Sequence, residues 1–254
     1  SASSIDIAYQ TGKLLGEFHY YTFQLNSDKF HDIIPNLHNT PLYFSKLKSL
    51  ESKLKNGILS VEESDKVFEI IRHVYNNESL IDELTRALDE GIISKCIVHG
   101  DPKISNFMFE QDTLRSICLI DLDTIQPGLI HHDFGDCVRS CCIITEEDER
   151  DLSKIKFDIN YLECFLKGYI LQGKHFIKKN DIKYLLESIR LIPLELCIRF
   201  ISDYLIGNKY FQINYKSHNL DRAFVQMSLL NSIDLQWNSI VSIFSSIESQ
   251  IIYV

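Results

Sequence analysis

The stretch that decides the fold is Ile97-Val98-His99-Gly100-Asp101-Pro102-Lys103-Ile104-Ser105-Asn106, completed by Ile120-Asp121-Leu122-Asp123. Its polar residues form the pattern H-x-D-x-x-x-x-N, followed by D-x-D. The apolar run before it, 95–98, is typical of a buried strand. Gly100 and Pro102 end that strand, because glycine permits unusual backbone angles and proline lacks a backbone donor.

A hairpin is predicted between the two halves of the pattern. Residues 106–110 and 114–120 are typical of two short strands, and the polar residues 111–113 form the turn between them. Since a hairpin returns its second strand to the start of the first, Asp121 is expected beside Asn106. Two oxygen ligands placed in this way are suited to one hard cation.

These residues match the requirements of phosphoryl transfer. That reaction needs a carboxylate to hold the acceptor hydroxyl, and an amide oxygen with a second carboxylate to hold magnesium. Asp101, Asn106 and Asp121 supply them in that order, with the five-residue spacing of a protein-kinase catalytic loop. An Asp before Pro is by itself often only a turn or capping residue. The prediction therefore depends on the three residues together at these spacings.

Composition excludes several classes of function. The chain has 254 residues, of which 45% are hydrophobic and 24% charged, which suits one large or two small globular domains. A net charge of −9 argues against nucleic-acid binding, and no basic or apolar run indicates a membrane partner. Seven cysteines without a secretory signal predict reduced thiols and a cytoplasmic location. The grouped Cys137, Cys141 and Cys142 suit packing better than a metal or redox site.

Most of the remaining chain has helical periodicity. Residues 1–4 are interpreted as a linker or cloning remnant, and residues 5–254 as one unit. Gly12 and Gly16, four apart, predict a close neighbour for the first helix. Helices are expected over 5–23, 44–56, 61–90 with a break at 76–77, 147–173, 181–205 with a kink at Pro193, and 220–247.

Three groups of polar residues are candidates for substrate contact. His38 lies in a long polar connection, 28–43, that either reaches a ligand or is simply solvated. Asp133 and Asp136 stand at a helix start, where they either cap the helix and pair with Arg139 or contact a sugar hydroxyl. Asp133-Phe134-Gly135 is not the metal-binding D-F-G of protein kinases, because Asp121 already closes the hairpin. Arg199 and Asp203, four apart on one helix face, form either a surface pair or part of a pocket.

Devices for nucleotide phosphates are missing from the sequence. It contains neither G-x-x-x-x-G-K-[ST] nor G-x-G-x-x-G, and nothing before Ile5 supplies the β-rich lobe whose Lys holds phosphates in kinases. We therefore expect the chain to begin after that nucleotide lobe and to depend on it for activity.

The motifs resemble those of the aminoglycoside phosphotransferase and choline kinase superfamily. The segments 34–41, 99–106, 120–128, 133–136 and 199–205 look most like the N-acetylhexosamine 1-kinase branch, which phosphorylates the anomeric hydroxyl of an N-acetylhexosamine with ATP and Mg²⁺. The resemblance implies a mainly α (α+β) fold: the helical C-terminal lobe of a kinase-like phosphotransferase, with a small hairpin at its active site.

The resemblance also implies a role for individual residues. Asp101 would be the catalytic carboxylate and His99 would orient its loop. Asn106 and Asp121 would hold Mg²⁺, with Asp123 as a further candidate metal ligand whose role stays open. Lys103 would join Asn106 and Asp121 in contacting the nucleotide. Two alternatives remain: a kinase for another hydroxyl acceptor (an aminoglycoside, choline or homoserine), and a non-catalytic sugar-binding domain.

Overall fold

A computed structural model describes residue 2 and residues 4–54, 61–145 and 148–248. Within these ranges it is mainly helical, with two small antiparallel sheets. The helices are α1 Ile5–Phe23, α2 Thr40–Leu54, α3 Val61–Asn76, α4 Glu83–Asp89, α5 Ile130–Cys141, α6 Ile159–Gly173, α7 Lys179–Leu205, α8 His218–Leu235 and α9 Trp237–Glu248.

The two sheets frame the quoted loop. Strands β1 (Cys96–Val98) and β4 (Gln126–Gly128) pair antiparallel, and so do β2 (Phe107–Phe109) and β3 (Ser116–Leu119). The second pair is the predicted hairpin. The pairing of β1 with β4 was not predicted, because β4 contains a Pro and a Gly, which are rare in sheet interiors. Both residues are tolerated here because β4 is an edge strand.

The first helix packs closely on α6, which is the close neighbour that the spacing of Gly12 and Gly16 indicated without identifying it. A Cβ at Gly12 would lie 2.0 Å from the carbonyl oxygen of Phe165, and one at Gly16 would lie 2.6 Å from that of Tyr169. Only glycine fits at these two positions. Just before α1, Ser4 caps the helix, and Ala2 is buried with its amide bonded to the carbonyl of Cys141.

Helix α7 links two hydrophobic clusters. Its N-terminal half, with Leu185 and Ile189, belongs to the cluster around α1, α5 and α6. Its C-terminal half, with Leu194 and Ile198, belongs to a second cluster with α2, α3 and α8. Helix α7 is therefore packed against both clusters, which holds its side chains in fixed positions.

Several predicted helix boundaries were wrong. Helix α2 begins at Thr40 rather than residue 44, because Pro41 falls in the first turn, where proline is tolerated. Helix α6 begins at Ile159, capped by Asp158, rather than at 147, which lies outside the described residues. The helical run of α7 continues through Pro193, and a break at Gln236 divides the last helix in two. The predicted turn at 56–57 lies outside the described residues.

The cysteine group on α5 is part of the core. Cys137, Cys141 and Cys142 are buried as free thiols. Burial raises the pKa of Cys137 and Cys142 well above the usual thiol value, which makes a reactive thiolate unfavourable. Among the described residues, none of the helices has both the length and the apolar composition that crossing a membrane requires.

Candidate active site

One buried carboxylate fixes the loop after β1. Asp133, on α5, accepts hydrogen bonds from the backbone N–H of His99 at 2.7 Å and of Gly100 at 2.9 Å. It also accepts one from Nε2 of His19 at 3.0 Å. Burial acts to raise the pKa of Asp133, but these bonds outweigh it and lower the pKa. Asp133 is 0% exposed, so the proposed contact with a substrate hydroxyl does not fit its position.

His99 joins this loop to the D-x-D segment. Its Nε2 donates to the carbonyl of Ile120 at 3.0 Å, and its Nδ1 accepts from the backbone N–H of Asp101 at 3.3 Å. Gly100 has φ 86°, and a Cβ there would lie 2.8 Å from the carbonyl oxygen of Thr124. His99 is fully buried, so it positions the loop without facing the cavity.

Asn106 and Asp121 lie together at one end of the hairpin. The backbone N–H of Ile120 donates to the carbonyl of Asn106 at 2.9 Å, which brings Asp121 next to it. The side-chain amide of Asn106 donates to the carbonyl of Asp101 at 2.8 Å, so its Nδ2 points to the loop. Asp121 is exposed with φ 66°, and Asp123 is exposed in the following turn.

These oxygens fit a magnesium ion better than a transition metal. Mg²⁺ is usually held by one or two carboxylates, with substrate phosphates and water completing its shell. Asn106 and Asp121 offer hard oxygen ligands of this kind. Within the described ranges there is no cluster of three or more His, Cys, Asp or Glu residues suited to a metal ion.

Asp101 lies between this hairpin end and a cavity. Nζ of Lys103 is 2.5 Å from its Oδ2, and about a third of the Asp101 side chain, 35%, is exposed. Burial raises the pKa of Asp101, and the negative charge of Asp136 adds to that effect against the attraction of Lys103. A raised pKa makes the carboxylate a stronger proton acceptor.

The cavity beside Asp101 has a volume of 430 Å³. Ligand cavities in proteins commonly measure ~300–1,000 Å³. Its wall brings together residues from the 28–39 connection, the quoted loop, α5 and α7, and the segment after α7. The charged and imidazole groups among the described lining residues are His38, Asp101, Lys103, Asp136, Arg139, Glu195, Arg199 and Arg222.

Each arginine of this wall has a carboxylate neighbour, and that of Arg222 is Asp148, whose Oδ1 lies 2.8 Å from Nε. Arg139 donates from Nε to Oδ1 of Asp136 at 2.8 Å, the helix pairing that the sequence allowed. Nη1 of Arg199 lies 3.9 Å from Oε1 of Glu195. The Arg199 guanidinium is also surrounded by three rings, at 5.4, 5.7 and 5.4 Å from the centroids of Tyr43, Tyr210 and Phe211.

His38 is paired with a glutamate from α7. Its Nδ1 donates to Oε1 of Glu195 at 2.9 Å, while Thr40 donates to Oε2 at 2.6 Å. Burial acts to raise the pKa of Glu195, but His38 and then Arg199 lower it to about 2. Burial acts to lower the pKa of His38, yet Glu195 outweighs it and the pKa is raised. His132 stacks on His38 with 4.7 Å between ring centroids, and burial lowers its pKa to about 3.

This pair predicts a specific pH dependence of stability. Because the pKa of Glu195 is lowered in the fold, its carboxylate stabilises the fold above pH 4.5. This contribution is lost as the pH falls towards 2. Because the pKa of His38 is raised in the fold, its imidazolium stabilises the fold below pH 6.5. This contribution is lost as the pH rises through the raised pKa. The stability lost in Glu195→Gln is therefore expected to be largest between pH 4.5 and 6.5.

The measurement is urea unfolding of the parent and variant at a series of pH values. Glu163→Gln is the control, because Glu163 forms an exposed i,i+4 pair with Lys167 that is worth only about 0–1 kcal/mol. A difference between parent and Glu195→Gln that stayed constant from pH 6.5 down to 2 would contradict the assigned pKa shifts.

Asp203 does not pair with Arg199 across the helix face. Its carboxylate accepts from the backbone N–H groups of Lys209, Tyr210 and Phe211 at 2.8 to 3.0 Å, and from Asn219 at 2.9 Å. It is 3% exposed. Asp203 therefore shapes the 207–211 segment, which carries the two rings against Arg199.

Sequence reasoning did not single out three residues of this region, Thr40, His132 and Glu195. A glutamate in the middle of the apolar stretch 191–201 is the one signal that was available, because a buried carboxylate needs a partner. Its partner His38 lies 157 positions away, and no local pattern indicates such a distance.

Comparison with known families matches residues 5–162 to the family described as the phosphotransferase enzyme family. The chain belongs to this family. The match includes the whole H-x-D-x-x-x-x-N and D-x-D pattern and α5 with Asp133 and Asp136. Phosphotransferases of this kinase-like kind use ATP, usually with a divalent metal.

One solved structure of low sequence identity has the same fold. A choline kinase from Cryptosporidium parvum Iowa II has a TM-score of 0.53 and 16% identity over 95% of this chain and 68% of its own. An ADP-bound aminoglycoside phosphotransferase has a TM-score of 0.47 and 17% identity over 87% of this chain and 65% of its own. The phosphotransferase chain thus spans about two thirds of the length of each.

Proposed function

We propose that this phosphotransferase chain forms the acceptor-binding and catalytic part of a kinase for an uncharged sugar, most simply an N-acetylhexosamine phosphorylated on its anomeric hydroxyl. The observation that carries the proposal is the wall of the 430 Å³ cavity beside Asp101. It holds both carboxylates and arginines, so it offers hydrogen-bond acceptors and donors to a polyhydroxylated ligand.

The charge of the wall argues against cationic acceptors. Four side chains with fixed positive charge line it, Lys103, Arg139, Arg199 and Arg222, against three carboxylates, Asp101, Asp136 and Glu195. The charge of Arg222 is offset by Asp148, which lies outside the wall with Oδ1 2.8 Å from Nε of Arg222. His38, with its raised pKa, adds to the positive side. An acidic cavity would favour an aminoglycoside or choline; this wall is balanced or slightly positive, although the whole chain carries −9.

The aromatic rings lead to the same conclusion. A quaternary ammonium such as choline is commonly held by aromatic faces. Here the rings of Tyr43, Tyr210 and Phe211 already surround the guanidinium of Arg199, each within 5.7 Å. A ligand cation that approached these rings would meet the like charge of Arg199. The remaining donors of Arg199 suit a carbonyl oxygen, such as that of an acetamido group.

In this mechanism Asp101 accepts a hydrogen bond from the acceptor hydroxyl and orients it for attack on the transferred phosphoryl group. Its raised pKa favours taking up the hydroxyl proton as the new bond forms. Lys103 supplies a positive charge beside it. Asn106 and Asp121 would hold Mg²⁺, which neutralises phosphate charge when bound. His99 and Asp133 keep the loop in place.

The test is acceptor selectivity, measured as ADP release by the full-length gene product with ATP and Mg²⁺. We expect turnover with N-acetylglucosamine or N-acetylgalactosamine, and none with choline or an aminoglycoside. Arg199→Gln should raise KM for the sugar more than it lowers kcat. The control is Arg190→Gln on the same helix, since Arg190 pairs with Asp234 and does not line the cavity. Preference for a cationic acceptor would contradict the proposal.

A further inference from the structure

A second cavity adjoins the first at Arg199. It has a volume of 240 Å³ and shares Ile34, Arg199, Tyr210 and Phe211 with the cavity beside Asp101. The remaining described residues of its wall come from the 35–46 stretch and the end of α7: Pro35, Tyr43, Lys46, Ser202, Asp203 and Ile206. The side chain of Arg199 is therefore part of the wall of both cavities.

The wall of the second cavity combines flat rings with polar groups. Tyr43, Tyr210 and Phe211 provide aromatic surface, and Lys46 is an exposed cation at its edge. Ser202 also contributes to the wall, with its hydroxyl oxygen buried.

A pyranose ring has this same mixed character. Its C–H faces are apolar and can lie on aromatic rings, while its hydroxyls need donors and acceptors around the edge. A purely apolar group would leave the polar edge of the cavity unsatisfied. A fixed cation would be repelled by Arg199 and Lys46.

We infer that the second cavity is a subsite for a second sugar unit, so that the preferred acceptor is a disaccharide with an N-acetylhexosamine at its reducing end. The inference rests on the proposed function for the first cavity. The reducing-end ring lies beside Asp101, the linkage passes Arg199, and the outer ring lies against Tyr43 and Tyr210. The phosphoryl acceptor stays the same hydroxyl.

The test is calorimetric titration of the full-length gene product with N-acetylglucosamine, N,N′-diacetylchitobiose, and galactose linked β-1,3 or β-1,4 to N-acetylglucosamine. At least one disaccharide is expected to bind about tenfold more tightly than the monosaccharide, the gain expected from one sugar–aromatic contact. Ile206→Trp should abolish this gain and leave monosaccharide affinity unchanged, because Ile206 is 42% exposed and lines only the second cavity. Leu235→Trp, at a remote residue 89% exposed, is the control.

The outcomes separate this inference from the proposed function. Equal binding of monosaccharide and all disaccharides, in parent and Ile206→Trp alike, would overturn the second subsite and leave the sugar kinase in place. Binding of no sugar, together with turnover of another acceptor, would overturn both. If a benzyl ether of N-acetylglucosamine gained as much affinity as the disaccharides, the cavity would be an apolar subsite and the sugar assignment would be wrong.

Discussion

Asp101→Asn is expected to reduce kcat by about 10²–10⁴-fold, the range typical of losing a positioned general base. The amide keeps the shape of the side chain but cannot take up the hydroxyl proton. Because KM for ATP does not depend on this group, it should change little. The fold should be retained, since about a third of the side chain is exposed and its ion pair is with the half-exposed Lys103.

The kinetic test compares steady-state ADP release by the full-length gene product and its Asp101→Asn variant. Asp112→Asn is the matched control, because Asp112 is an exposed residue of the hairpin turn. Circular dichroism and thermal unfolding check that both variants are folded. A kcat for Asp101→Asn within tenfold of the parent would remove Asp101 from the chemical step.

Asp133→Asn is expected to have the largest effect on stability. The carboxylate is 0% exposed and receives three hydrogen bonds, from His19, His99 and Gly100. An amide has one acceptor oxygen, so its NH₂ group would face a donor. Breaking a buried charged network commonly costs about 3–5 kcal/mol. Activity should fall as well, because the loop that carries Asp101 loses its anchor.

Urea unfolding near pH 7 measures this loss, with Asp28→Asn as an exposed aspartate control. The pKa of Asp133 is lowered in the fold, so its contribution is present above the ordinary value of 3.8 and decreases as pH falls below it. The difference in the free energy of unfolding between the parent and Asp133→Asn should therefore decrease at acidic pH. A loss below 1 kcal/mol at pH 7 would contradict the anchoring role.

The local parts of the site could be predicted because they depend on adjacent residues. The loop, the hairpin and the meeting of Asn106 with Asp121 follow from a strand, a breaker and a turn within 26 positions. The contact between α1 and α6 was predicted only in part: Gly12 and Gly16 indicated a close neighbour, but not which one.

The acceptor cavity could not be predicted in the same way. Its wall joins the 28–39 connection to α5, α7 and the segment after α7, and the His38–Glu195 pair spans 157 positions. Helix α7 is buried on most sides, so its periodicity did not distinguish Glu195 and Arg199 from core positions. Asp133 was chosen for its place at a helix start and Asp203 for its spacing from Arg199, whereas both carboxylates accept hydrogen bonds mainly from backbone N–H groups.

The central claim is tested most directly by identifying the product that the full-length gene product forms from ATP, Mg²⁺ and an N-acetylhexosamine. Phosphorus NMR of the reaction mixture distinguishes an anomeric phosphate from phosphate on another hydroxyl and from inorganic phosphate. The account predicts a hexosamine 1-phosphate that forms with the parent and disappears with Asp101→Asn. No phosphorylated sugar from either N-acetylhexosamine, together with a phosphorylated cationic acceptor, would contradict it.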